Sequence, residues 1–95
     1  MSRASKLAEL TQEQRDRAAK IILEAIPEGV QKLIRIAYSI NPELWYVPYH
    51  FSWGMALRNH LRQNGFTDTE VPDRNLDDYY VALVEYALGL RVVSN

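Results

Sequence analysis

Proline and glycine cut this sequence into pieces of helix length, and that punctuation limits the fold more than any other feature. Pro27, Asn41-Pro42, Gly65 and Gly89 each fall where a helical hydrophobic pattern ends. Proline cannot continue a helix, the residue before it avoids the helical region, and glycine takes the left-handed turn that closes a helix. No piece exceeds about four turns, so several short helices must share one core.

The pieces have recognisable beginnings. Thr11 and Gln14 have the spacing of a capping box, which predicts a helix over 12–26. Ala18, Ile22, Ala25 and Ile26 share a stripe at the 3.6-residue period, while Glu13–Arg17 and Asp16–Lys20 are i,i+4 pairs on the other side. The second helix, 27–39, places Val30, Leu33, Ile34, Ala37 and Ile40 against a polar side of Glu28, Gln31, Lys32, Arg35 and Ser39. Residues 42–49, with Pro42 and Pro48, read as a loop, and a third helix covers 51–64. An acidic connection, 66–74, leads to Asn75, which caps a last helix over 76–88 with Asp77 and Asp78 at its positive end.

The expected fold class is all-α: a compact single-domain bundle of about four helices, with an irregular aromatic loop between the second and third. Residues 1–10 are expected as a flexible N-terminal segment, 11–90 as the domain and 91–95 as a C-terminal tail. At 95 residues, folding buries about two thirds of the unfolded chain's surface, enough for one core. The chain has no cysteine, which excludes disulfides, thiolate zinc sites and a cysteine nucleophile. No apolar run approaches a membrane span and no apolar stretch follows the N-terminus, so the expected location is cytoplasmic.

Net charge is −1, without the excess of basic charge typical of nucleic-acid binders. Lys32, Arg35, Arg58 and Arg62 nevertheless gather in the middle of the chain, and six acids follow between Phe66 and Glu85. The expectation is that these segments neutralise each other.

Helical wheels sharpen this. On the third helix Arg58 falls inside an arc with Trp53, Gly54, Leu57 and Leu61, where an unpaired guanidinium is costly. On the last helix Asp77 lies towards the apolar side, whereas Asp78, Ala82 and Glu85 form a polar face. An Arg58–Asp77 pair is therefore expected to join the two helices, with Gly54 admitting a close backbone neighbour. Apolar arcs this wide on the third and last helices also suggest a homodimer that buries part of them.

The stretch Trp45-Tyr46-Val47-Pro48-Tyr49-His50-Phe51-Ser52-Trp53 holds five aromatics in nine residues. Loop aromatics make good contact surfaces, so Trp45, Tyr46 and Tyr49, with His60 and Arg62 on the edge of the third helix, are the candidate partner-binding residues. His50 and His60 lack metal-ligand spacing, Ser52 diverges from His50 on the helix, and neither a nucleophile elbow nor a phosphate loop occurs. No catalytic, metal or cofactor site is assigned. The favoured reading is a protein-interaction module with an unidentified protein partner. The alternative is a nucleic-acid binder using Lys32, Arg35, His60 and Arg62; a third is a small-ligand pocket or enzyme around His50, Tyr49 and Arg58.

The run His50-Phe51-Ser52-Trp53-Gly54-Met55-Ala56-Leu57-Arg58-Asn59, with Asp77-Asp78 opening a later helix, resembles a family of small uncharacterised bacterial and phage proteins, a domain of unknown function. The shared pattern is His-Phe-x-x-Gly-Met-x-x-Arg-Asn, over Pro48 to Leu88; Ser52-Trp53 departs from the small pair expected there. The resemblance implies no activity, but it marks His50, Gly54, Arg58, Asn59, Asp77 and Asp78, which the wheels read as a lock between helices.

Overall fold

Thr11 Oγ1 accepts the Gln14 amide at 3.1 Å, and the Gln14 side chain accepts the Thr11 amide at 2.9 Å. This reciprocal cap opens a helix over Gln12–Ala25. In the computed structural model, which describes residues 3–93, it is the second of five: α1 (Arg3–Ala8), α2 (Gln12–Ala25), α3 (Glu28–Ile40), α4 (Trp53–Gln63) and α5 (Tyr80–Ala87). Single 3-10 turns occupy Val47–Tyr49, Asp68–Glu70 and Leu76–Asp78, and there is no strand among the described residues. None of the described helices is long and apolar enough to cross a membrane.

The shortest of the later helices is the centre. Tyr80, Val81, Ala82, Leu83, Val84 and Glu85 of α5 are all buried, as expected of a helix surrounded on every side. α1 and α2 pack against it, α4 packs on α2 and meets Tyr80 at its start, and Leu7, Ile22, Leu61, Phe66 and Leu76 complete the core. The Cα radius of gyration, 12.1 Å, is that of one globule of this length.

Three expectations change. Residues 1–10 are not a flexible lead where the structure describes them: α1 buries Leu7, and Leu10 follows it into the core. Arg15 donates to the carbonyl oxygens of Leu7 (2.8 Å) and Leu10 (2.5 Å), groups that a helix end leaves without partners. α1 is too short for periodicity to reveal it. The face of Ala82 and Glu85, expected to meet water, is buried (Glu85 is 0% exposed) because α1 covers α5 and Arg3 brings a counter-charge to Glu85. Finally, the wide apolar arcs of α4 and α5 close largely within one chain: Leu57, Leu61, Leu83 and Val84 are buried, while Met55 of α4 and Phe51 just before it stay exposed.

Of the tail, Leu90 and Val93 pack on the core and Arg91 Nε donates to Glu85 at 2.7 Å; residues 94–95 lie outside the described residues. Leu33 and Ile40 of α3 are instead 63% and 79% exposed, although the sequence pattern assigns them to the core-facing side, and Ile36 beside them is 56% exposed.

Candidate functional site

The loop between α3 and α4 folds inward at its first aromatic residue. Asn41 Oδ1 accepts the Leu44 amide at 3.2 Å, which turns the chain so that Trp45 enters the core. Trp45 is 3% exposed, and its indole nitrogen donates to Glu85 Oε2 at 2.8 Å. Trp45 is therefore unavailable to a partner, because a buried carboxylate satisfies its one polar atom. Trp53 stacks on Trp45 at 6.3 Å and Tyr49 on Trp53 at 5.8 Å, a ladder that runs from the core to the surface. Tyr46 is half-buried beneath the Arg3 guanidinium, and Tyr49 remains exposed.

At the end of that loop, polar groups converge. His50 Nδ1 lies 2.8 Å from the Tyr80 hydroxyl and 3.2 Å from Arg58 Nη1. A guanidinium only donates, so Nδ1 is the acceptor and the neutral ring's proton is assigned to Nε2. Arg58 also donates through Nη2 to the His50 carbonyl (3.3 Å) and through Nε to Asp77 Oδ1 (2.8 Å), with its guanidinium carbon 4.6 Å from the Tyr80 ring centre. The pair expected from the wheels thus links α4 to the turn before α5. Burial pushes the Tyr80 hydroxyl's pKa up, while the charge of Arg58 pulls against it.

Acids of the following segment also meet Arg62 and Arg17. Arg62 Nε lies 3.2 Å from Asp68 Oδ1, its Nη2 3.5 Å from Asp77, and its Nη1 donates to Asn59 Oδ1 at 3.1 Å. Glu70 is held by Arg17 of α2, and its carbonyl accepts from Gln14 at 3.0 Å.

Of the six motif positions, His50, Gly54, Arg58 and Asp77 meet. Asn59 faces outward to Arg62, and Asp78 turns towards Asp73. Gly54 is required by contact: a Cβ there would come within 2.8 Å of the Tyr80 hydroxyl and 2.9 Å of the Tyr49 carbonyl oxygen. Since the backbone oxygen cannot rotate away, Gly54→Ala is expected to cost about 2 kcal/mol or more, read as a lower urea midpoint.

The Asp73 carboxylate beside Asp78 holds the Asp78 pKa above its ordinary value of 3.8, and the same bond lowers that of Asp73. An acid whose folded pKa is raised contributes stability that is lost as pH rises through that pKa. Asp78→Asn should therefore gain thermal stability relative to wild type at neutral pH, and the difference should close as both are acidified to about pH 4. Parallel melting curves across that range would contradict it.

Two concavities flank this lock. An open cleft of about 500 Å3 is lined by Tyr46, Val47, His50, Phe51, Asn75, Asp77 and Asp78. The polar groups nearest the lock serve one another there: His50 Nδ1 faces Tyr80 and Arg58, Asp77 faces two arginines, and Ser52 Oγ bonds the Tyr49 carbonyl oxygen at 3.2 Å. Among the described residues no three His, Asp or Glu side chains cluster as a metal site requires.

The second concavity, about 360 Å3, lies between the α2–α3 corner and α4. Ala25, Ile26, Pro27 and Val30 meet Trp53, Ala56, Leu57 and His60 across it. His60 supplies its polar side chain, and the rest of the lining is apolar apart from the Trp53 indole nitrogen.

Sequence reasoning missed Tyr80 and Glu85 as polar anchors and the α3 face as exposed surface. A buried tyrosine needs a hydroxyl partner, so Tyr80 inside an apolar arc was the available signal. For Glu85 there was none, since its partners Arg3 and Trp45 lie 82 and 40 residues away. Family models, curated proteins and solved structures were all compared with the chain, and none matches it.

Proposed function

We propose that the chain is a cytoplasmic helical interaction module, non-catalytic, whose groove between the α2–α3 corner and α4 receives apolar side chains of a protein partner. One observation carries this reading: the groove is open, apolar and walled by residues of three helices, with Trp53 in its wall stacked on Tyr49. An amphipathic helix that inserts one or two apolar anchors suits such a groove. Tyr49 and His60 belong to this face. Tyr46 borders the other cleft, and Arg62 is engaged by Asp68 and Asp77, which weakens the nucleic-acid alternative.

Within this proposal the His-Phe-x-x-Gly-Met-x-x-Arg-Asn motif keeps the family resemblance as a shared lock. His50, Gly54, Arg58 and Asp77 fix the angle of α4 and hence the shape of the groove.

The test uses peptides selected from a displayed random library on the purified protein. Selected peptides should carry spaced apolar anchors and lose at least tenfold in affinity, about 1.4 kcal/mol, against Ala56→Glu. Ala56 is exposed at the groove wall, so the charge blocks the groove without entering the core. A Lys32→Ala/Arg35→Ala variant should bind unchanged. Equal binding by Ala56→Glu would overturn the reading. Oligonucleotide binding that collapses between low and physiological salt would favour the alternative.

A further inference from the structure

His50 and His60 are the only histidines in the chain, and histidine is the side chain that changes charge between about pH 5 and 8. The lock uses His50 in its neutral form. Both contacts of Nδ1 come from donors, the Tyr80 hydroxyl at 2.8 Å and Arg58 Nη1 at 3.2 Å. A ring that takes up a proton carries hydrogen on both nitrogens, so Nδ1 stops accepting. It would then point an N–H at a guanidinium that can only donate, with two positive groups 3.2 Å apart.

The surroundings offset little of that charge. Arg58 of α4 touches the ring, and Arg62 of the same helix stands behind it at Asp77. Asp77, in the turn before α5, lines the cleft beside His50, but its Oδ1 already serves both arginines. Asp78 lines the same cleft and faces Asp73. Tyr80 of α5 and Tyr46 and Phe51 of the loop complete the surroundings with uncharged rings. Protonation therefore sets a third cation into a junction where two already share Asp77.

The junction is continuous with the groove. The Tyr80 hydroxyl that bonds His50 also presses on the first turn of α4, since a Cβ on Gly54 would come within 2.8 Å of it. Trp53, the neighbour of Gly54, stands in the groove wall and stacks on Tyr49, the neighbour of His50. A shift of His50 against Arg58 and Tyr80 thus reaches the groove wall through direct contacts.

We propose that His50 is an acid-sensitive switch: neutral, it ties α4 to α5 and holds the groove in its binding shape; protonated, it lets Arg58 go and the groove releases its partner. The switch itself needs only the lock, while release of a partner rests on the groove reading above. Its sign follows from the bonding. The folded lock takes the neutral ring and the unfolded chain takes either form, so stability and groove affinity fall as pH drops through the histidine range. Asp78 works in the opposite direction, gaining stability on protonation, and so cannot produce the same loss. His60 is the control. Among the described residues no lysine or arginine bonds its ring; Asn64 donates to the His60 carbonyl at 2.8 Å, and the same amide nitrogen lies 3.4 Å from Nε2.

The test compares urea midpoints at about pH 7.5 and about pH 5.5, read by tryptophan fluorescence, for wild type, His50→Gln and His60→Gln. Glutamine offers Arg58 and Tyr80 an amide oxygen but does not titrate. Wild type and His60→Gln should lose midpoint on acidification, whereas His50→Gln should keep the same midpoint at both values. Peptides selected on the groove should bind wild type about fivefold or more weakly at the lower pH and bind His50→Gln equally at both. Should His50→Gln not fold, NMR of the wild type decides: the Gly54 and Trp53 amides should shift with the same titration midpoint as the His50 ring.

A wild-type urea midpoint that is equal at both pH values would overturn the switch, whatever the groove binds. So would an acid loss that disappears in His60→Gln instead, or Gly54 and Trp53 amides that ignore the His50 titration. Peptides that bind wild type alike at both values would overturn the release. If no peptide is selected at all, the groove reading fails, and the urea midpoints alone still decide the switch.

Discussion

Glu85→Gln is expected to remove about 3–5 kcal/mol of stability, enough to unfold much of the population in a domain of this size. The wild-type carboxylate is fully buried. It takes Arg3 Nε at 2.8 Å and Arg91 Nε at 2.7 Å on one oxygen and the Trp45 indole at 2.8 Å on the other. Burial is the largest single influence and works against the charge of Arg91, but its bond to Glu85 and the negative charges around it together hold its pKa above the ordinary arginine value. Glutamine keeps the shape and leaves two guanidinium groups, each with less than a fifth of its side chain exposed, without their shared counter-charge. Urea denaturation followed by tryptophan fluorescence measures the loss. An Arg3→Met/Glu85→Leu/Arg91→Met variant should recover part of it, because the charges and their desolvation disappear together while the buried Trp45 indole loses its acceptor. Equal midpoints for wild type and Glu85→Gln would refute this account.

The second large effect is expected at Arg58. Arg58→Lys keeps the charge but loses the planar fork that reaches His50 Nδ1, the His50 carbonyl and Asp77 simultaneously. An ammonium in that pocket can satisfy only part of the set, and the guanidinium's packing over Tyr80 is lost. A loss of about 2–3 kcal/mol follows, larger than for Asp77→Asn, since the Asp77 side chain is 44% exposed and water replaces part of its interaction. The measurable result is a rank order of urea midpoints: wild type, then Asp77→Asn, then Arg58→Lys. A reversed order would mean that the carboxylate, rather than the fork, holds the junction.

The two sites differ in how far the sequence reveals them. Arg58 stands out because its own helix places a charge among Leu57, Leu61 and Trp53, and the nearby acids offered Asp77 as a partner at a helix entrance. Thr11 and Gln14 announce α2 for the same reason: both halves of the cap are local. Glu85 gives no such signal. On its own wheel it belongs to a polar face, and only a helix 82 residues away in sequence turns that face into the interior. Trp45 is misread by the same route, since a loop position suggests exposure until Glu85 is known to be waiting for its indole. In α3 the error runs the other way. Amphipathicity says that Leu33 and Ile40 share a side, but it cannot say whether the same chain covers it.

The helix at the centre of the core, α5, is made after the other four described helices. Until residues 80–87 leave the ribosome, α1 and α2 lack the central helix they pack on and Arg3 has no carboxylate to meet. At about 5–20 residues per second, α2 waits several seconds with its apolar stripe uncovered. Nascent-chain vulnerability is therefore built into the order of the helices: the earlier ones wait on residues 80–87 before they can fold in earnest, and a slower ribosome lengthens the exposure rather than easing it.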